Sequence, residues 1–260
     1  MADDGRGKFV WYELMTTDTE AAKAFYTDVV GWSTAPFEHA AGMDYTMWMK
    51  GGAPIGGLME LPEEVRKGGV PPHWMGYVAV PDVDATADRA RELGGTVHHG
   101  PMDIPEVGRF AVIADPQGAV LAAFKGTQEM PREESDPEPG DVSWHELATT
   151  DYEAALDYYT DLFGWEKQQA MDMGEAGTYQ MYGLGEKMLG GMYTKTADMP
   201  GPPAWRYYVS VADVDAAKAT IEGNGGTILV GPMDVPGGGR ILMALDPQGA
   251  AFALHQGAAT

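Results

Sequence analysis

The run "FVWYELM", residues 9–15, alternates two sets of side chains, as a β-strand with two different faces does. The cap-like "TTD" follows. Apolar residues at Ala21, Ala24, Phe25 and Val29 then predict a helix from about Thr19 to Val30, stopped by a glycine. Short strands are predicted around 32–37, 45–49 and 55–59. After the loop "PEEVRKGGVPP" the pattern restarts with a strand over 74–80, a helix over 83–93 and a Gly-Gly stop. Strands near 96–102, 110–114 and 120–124 complete a second βαβββ unit.

The same pattern is then written again. "WYELMTTDTEAAKAFYTDVVGW" recurs as "WHELATTDYEAALDYYTDLFGW", and "IGGLM" as "LGGMY". "GYVAVPDVDATADRARELGGTVHHGPMDIP" recurs as "YYVSVADVDAAKATIEGNGGTILVGPMDVP", and "GRFAVIADPQGA" as "GRILMALDPQGA". Matches in one order over nearly all of both halves make an internal duplication. The expected organisation is a first domain over 1–125, a Pro- and acid-rich linker over 126–141 and a second domain over 142–260.

Composition narrows the function classes. The 260 residues can bury two ordinary cores, and seven tryptophans suit a folded protein. A formal charge of −22 would repel phosphates, so nucleic acid is not an expected partner. No apolar run is long enough to span a bilayer, no leader-like segment opens the chain, and a cytoplasmic protein without a membrane partner is expected. The absence of cysteine removes disulfides, thiolate metal sites and thiol nucleophiles.

The strand followed by "AxxFYTDxxGW", then "V.DVDA…GG" and "DPQGA", resembles the vicinal oxygen chelate superfamily of glyoxalase I, bleomycin-resistance proteins and extradiol dioxygenases. Tandem halves with "WxELxTTD" resemble more narrowly a two-domain actinobacterial glyoxalase-like group. The resemblance implies an α+β fold of tandem domains, each of two βαβββ units forming a cup-shaped mixed sheet. It also implies a divalent metal held by His, Glu or Gln at fixed strand positions. Carried onto this chain, those positions are Trp11 and Trp144, Gly76 and Tyr207, and Ala122 and Ala253. A less securely aligned fourth is Glu60, with Thr194 as counterpart. Side chains of these types do not make the usual metal site, so no metal and no cofactor are expected.

Strand alternation from those positions turns Trp11, Glu13 and Met15 inward, with Trp144, Glu146 and Ala148 as counterparts. Tyr12 and His145 then face the helices, so the adjacent His145 and Glu146 of "WHEL" point apart. Trp74, Gly76 and Val78 are expected inward with Trp205, Tyr207 and Val209, as are Ala122 and Phe124 with Ala253 and His255. The candidate catalytic residues are Glu13, Glu146, His255 and Tyr207. The candidate ligand-binding residues are Trp11, Trp74, Trp144, Trp205, Phe124, Trp48 and Tyr182. A carboxylate on an apolar wall suits general acid–base work. The alternative for Glu13 and Glu146 is a structural ion pair with Arg109 or Arg240 of the same half.

Other motifs carry less. "GGG" at 237–239 precedes a strand rather than a helix, so it is no phosphate loop. His98 and His99 are neighbours on a strand and point to opposite faces. "PMDIP" and "PMDVP" read as strand-ending loops. Three functions remain open. One is metal-independent chemistry on a hydrophobic or aromatic small molecule, such as an isomerase, lyase or ring-forming step of natural-product metabolism. A second is non-catalytic sequestration of a drug or metabolite, and the third is a metal-dependent glyoxalase-type lyase. Monomer and homodimer are both compatible with the chain.

Overall fold

A computed structural model describes residues 5–37, 44–128 and 136–258; residues 129–135 of the expected linker lie outside them. The first half runs β1 (Phe9–Thr16), α1 (Thr19–Val30), β2 (Ser33–Pro36), β3 (Tyr45–Lys50) and β4 (Ala53–Glu60). After α2 (Glu63–Lys67) come β5 (His73–Ala79), α3 (Val83–Glu92), β6 (Thr96–Ile104), β7 (Gly108–Ala114) and β8 (Val120–Gly126). The second half repeats this as β9 (Val142–Thr149), α4 (Tyr152–Phe163), β10 (Glu166–Asp172), β11 (Thr178–Leu184) and β12 (Lys187–Thr194). It closes with β13 (Ala204–Ser210), α5 (Val214–Gly223), β14 (Thr227–Asp234), β15 (Arg240–Leu245) and β16 (Ala251–Gln256).

The predicted helix ends have clear causes. Asp18, Asp82, Asp151 and Asp213 each accept a backbone N–H from the first turn of α1, α3, α4 and α5. Gly31 and Gly164 end α1 and α4 at φ 76°, where a side chain would be strained. Two loop expectations are corrected. "PEEVRKGGVPP" contains α2, which has acids at its start, bases at its end and a Lys67–Glu63 ion pair. "PMDIP" and "PMDVP" do not end their strands: pairing continues through bulges to Ile104–Gly108 and Asp234–Arg240.

Each half supplies one eight-stranded mixed sheet, ordered β2-β3-β4-β1-β5-β8-β7-β6 and β10-β11-β12-β9-β13-β16-β15-β14. The compact units are drawn differently, each from both halves. The α1–α5 unit holds β1 from Trp11, β2–β4, the start of β5 to Trp74, the first two residues of β9, and the chain from Arg206. The α3–α4 unit holds Phe9 and Val10, the chain from Met75 through β8, and the stretch from Trp144 to Trp205.

Amphipathic helices account for this exchange. The buried stripe of α1, Ala22, Phe25, Tyr26 and Val29, packs with Leu14, Trp48 and Leu58 of its own half. The same core takes Val214 and Ile221 of α5, with Leu242, Phe252 and Leu254. In the α3–α4 unit, Tyr159 and Phe163 of α4 pack on Trp165, and Trp165 on Tyr182 and Trp205. Each aromatic ring in these clusters removes well over 100 Å² of mostly apolar surface from water.

Candidate functional site

In the α1–α5 unit, register fixes what shares a face. Glu13 pairs with Gly57 and Met15 with Met59, while Met47 pairs with Gly57 and Tyr45 with Met59. Leu14, Leu58 and Thr46 occupy the opposite face, and the two leucines enter the core beside α1. On the helix-free face, the Trp11 indole N–H donates to the Tyr45 hydroxyl at 2.9 Å. That hydroxyl donates to Oε2 of Glu13, also at 2.9 Å. An indole only donates, so it occupies the phenol as acceptor and leaves the phenolic hydrogen to the carboxylate. Burial, and then the charge of Glu13, push the Tyr45 pKa far above its ordinary value, so the phenol keeps its proton.

The α3–α4 unit repeats this chain. Trp144 donates to Tyr179 at 2.7 Å, and Tyr179 to Oε2 of Glu146 at 3.2 Å. The Tyr179 pKa is raised for the same reasons, burial first and then Glu146. The "GG" doublets are explained by these rings. A Cβ at Gly57 would overlap the Tyr45 hydroxyl, and one at Gly191 would overlap the Tyr179 ring. Both glutamates are 6% exposed, beneath half-buried Trp11 and Tyr45 or Trp144 and Tyr179. The walls differ: Met15 pairs with Met59 in one unit, and Ala148 with Tyr193 in the other. Tyr193 stacks on Tyr179 with centroids 6.1 Å apart.

Several expected positions are corrected. Tyr77, not Gly76, pairs with Ala122, and Tyr208, not Tyr207, with Ala253, so facing on β5 and β13 is shifted by one residue. Trp74 therefore turns to α1, its indole donating to Tyr26 at 2.8 Å, and Trp205 turns to α4, donating to Tyr159 at 3.1 Å. Tyr207 is buried with its ring edge-on to Tyr12 at 5.5 Å. Trp48 and Tyr182 are fully buried core residues, against Tyr26 and Trp32 in one unit and Trp165 in the other. Glu60 is exposed and pairs with Thr16, on the face opposite Glu13. Thr194 accepts the Tyr152 N–H at the start of α4.

Phe124 does share a face with Ala122, packing against Tyr77 at 6.2 Å. His255 lies opposite the core residues Phe252 and Leu254, half-buried, with Nδ1 3.2 Å from Ser143 Oγ. Burial lowers its pKa. His145 is buried on the face opposite Glu146, stacked 3.8 Å from Phe9, its Nδ1–H donating to the Leu189 carbonyl at 2.7 Å. Desolvation lowers its pKa to about 4, so it is a neutral packing group. The expected alternative, in which Arg109 or Arg240 holds the glutamate of its own half, gives way to the aspartate partners that these two arginines have. Arg109 holds Asp84 and Asp103 at 2.7 and 2.8 Å, and Arg240 pairs with Asp215 and Asp234.

The tyrosines of the two chains were missed in the sequence, as was a second pair of such chains in the cores. Tyr26, receiving Trp74, donates to Asp246 at 3.1 Å; Tyr159, receiving Trp205, donates to Asp115 at 3.1 Å. Asp115 also accepts the Gln117 and Ala119 N–H groups, and Asp246 those of Gln248 and Ala250. This is the work of "DPQGA": one carboxylate closes the turn and ties it to a helix. Desolvation raises both aspartate pKa values. The repeated "FYTD" and "YYTD" tyrosines, four residues before the helix-ending Val30 and Phe163, were the available signal.

Among the described residues, no three His, Asp or Glu side chains converge on a point that could hold a metal ion. The positions at which the resemblance implies ligands carry Trp11 and Trp144, and Ala122 and Ala253. With Tyr77 and Tyr208 in register beside the alanines, this donor set does not fit a divalent ion. A void of about 10 Å³ among Tyr12, Tyr26, Trp32, Trp74 and Phe252 is no larger than a water site. An open cleft of about 460 Å³ lies along Asp103, Glu106, Arg109, Lys125 and Thr127, and neither glutamate lines it.

The model of the Glyoxalase/Bleomycin resistance protein/Dioxygenase superfamily matches twice, over residues 8–122 and 142–254. CFP32 of Mycobacterium tuberculosis is 33% identical over 247 residues, covering 94% of this chain and 92% of that protein. The anthracycline biosynthesis protein DnrV of Streptomyces peucetius is 31% identical over 260 residues, covering 95% and 92%. Among solved structures, 2,2',3-trihydroxybiphenyl 1,2-dioxygenase of Sphingomonas wittichii superposes with TM-score 0.67 at 14% identity, covering 98% of this chain and 91% of that one. The Mn(II)-bound glyoxalase of Novosphingobium aromaticivorans gives 0.61 at 17% identity, covering 97% and 82%. These structural likenesses speak to the fold.

Proposed function

The chain belongs to the glyoxalase/bleomycin resistance/dioxygenase superfamily, and from that premise we propose that it acts without a divalent metal on a hydrophobic or aromatic small molecule. Glu13 or Glu146 moves the proton, and the flanking Trp11 or Trp144 packs against the ligand. The observation that carries this reading is the duplicated glutamate, held by a protonated phenol on a half-buried aromatic face. The reaction class is an isomerisation, lyase or ring-forming step. Similarity to a protein named for anthracycline biosynthesis favours a polycyclic aromatic compound of natural-product metabolism as ligand.

The experiment is turnover of a polycyclic aromatic panel by the intact chain, read by mass spectrometry, with Glu13→Gln, Glu146→Gln and the double variant. Binding should persist while product formation falls about a hundred-fold or more in the variant of the working site. Full activity in the double variant would refute the role of the glutamates. Tight binding with no product from the unaltered chain would favour sequestration, which the aromatic faces alone could perform.

A further inference from the structure

We propose that His73 is a second proton-transfer residue of the α1–α5 unit, set across from Glu13 and presenting the lone pair of Nε2 to the ligand. The ligand this pair suits gives up a proton at one atom and regains it at another, as in a keto–enol isomerisation. The inference rests on the reading of Glu13 given above and deepens it.

Strand facing brings the two groups together. Trp74 turns to α1 and donates to Tyr26 at 2.8 Å. His73, one residue earlier on β5, therefore points to the face away from α1. Glu13 points the same way from β1, because Leu14 enters the core beside α1. The two strands are neighbours in the sheet. Ala79, which ends β5, accepts the Gly7 N–H and donates to the Lys8 carbonyl, both at 2.8 Å. Gly7 and Lys8 precede β1, so the strands lie alongside each other only if they run antiparallel. Stepping back along β5 from Ala79 to His73 matches stepping forward from Gly7 to Glu13. Counting from Lys8 instead ends on Leu14, which occupies the other face. Same-face neighbours across an antiparallel pair have Cβ atoms about 4.5–5.5 Å apart, within reach of one ligand. Both residues belong to the α1–α5 unit.

The imidazole is set for this task. Its Nδ1 lies 2.8 Å from the Pro71 carbonyl oxygen. A carbonyl only accepts, so Nδ1 carries the hydrogen and the lone pair of the neutral ring is on Nε2. Burial lowers the His73 pKa, against the opposing effect of the Pro71 bond, and keeps the ring neutral. The residue is half-buried, so it is seated yet still reached from outside. Ala204 holds the corresponding place at the start of β13. The imidazole thus belongs to one site and is not a requirement of the duplicated fold. In the proposed step the ligand's X–H bond breaks with its electron pair left on the ligand, and the proton passes to Nε2. The imidazolium returns it to the second ligand atom, directly or through the Glu13 carboxyl, which hands on one proton for each it receives.

The test has a ligand-free arm and a turnover arm. ¹⁵N NMR of the intact chain at neutral pH should show His73 protonated on Nδ1 and bare on Nε2; a hydrogen on Nε2 overturns the proposal. The polycyclic aromatic panel is then given to the Glu146→Gln chain, in which the α1–α5 site works alone. Adding His73→Asn, whose amide can still donate to Pro71, should spare binding and cut product formation about a hundred-fold. Undiminished product in that variant overturns the role of His73, and leaves the reading of Glu13 standing if Glu13→Gln loses product in the same background. Loss of all product in Glu146→Gln alone places the chemistry in the other unit and also overturns it. Should His73→Asn fail to fold, the NMR arm decides. No product from the unaltered chain, or full activity of the double glutamate variant, removes the reading itself and this inference with it.

Discussion

Two regions of this protein use the same three groups for different ends. In the cores, Trp74–Tyr26–Asp246 and Trp205–Tyr159–Asp115 run from indole through phenol to a carboxylate already occupied by backbone amides of a turn. On the other faces, Trp11–Tyr45–Glu13 and Trp144–Tyr179–Glu146 run in the same direction, to a carboxylate that sits within a strand. The core aspartate is a fastener with three donors directed at it. The facial glutamate is buried on a face that also carries half-buried aromatic rings. Hydrogen-bond type does not separate the two kinds of chain; the seat of the carboxylate, in a turn or within a strand, does.

The sharpest way to break this comparison is truncation. Asp115→Ala should cost about 3–4 kcal/mol, because two backbone N–H groups and the Tyr159 hydroxyl lose their buried acceptor. Glu146→Ala should cost far less in the same urea denaturation series. Equal losses would mean that the facial chains are fasteners too.

"WHEL" offers a second test in adjacent residues. His145 is neutral and buried with its pKa lowered to about 4, whereas the unfolded imidazole titrates near about 6.5. Between those values the unfolded chain binds the extra proton, so stability falls as pH drops through the window and levels off below about 4. The loss should reach about 3 kcal/mol, and His145→Phe should flatten that part of the stability–pH curve. Turnover should depend on Glu146 and be little altered by His145→Phe once folding is allowed for. The smallest effect belongs to Arg109→Ala. Its partners are the exposed Asp84 and Asp103, so the urea midpoint of the variant should scarcely move.

Much of this was legible in the sequence. The helix over 19–30 and its Gly31 stop follow from apolar spacing and capping alone, as does the opposite facing of His145 and Glu146. What failed was transfer of facing from one strand to the next. Counting from the Asp of "V.DVDA" placed Trp74 and Tyr207 on the open face, but register is a property of paired strands. Tyr77 opposite Ala122 reverses every side chain on β5. The Glu13–Tyr45 contact was hidden for the same reason, since 32 residues separate its partners. The glycines at 57 and 191 marked the space where those rings lie, and they read as tyrosine sites only after pairing is known.

The exchange of modules between units also orders the making of the protein. As the chain emerges during synthesis, the α3–α4 unit has all its parts once Trp205 is made. The α1–α5 unit must wait for Phe252 and Leu254 to cover Leu14 and Phe25, among the earliest core residues synthesised. Through most of translation, the N-terminal apolar surface therefore lacks the part of its cover that α5, β15 and β16 supply. That interval, more than the stability of the finished fold, is where a chaperone would have its greatest effect on yield.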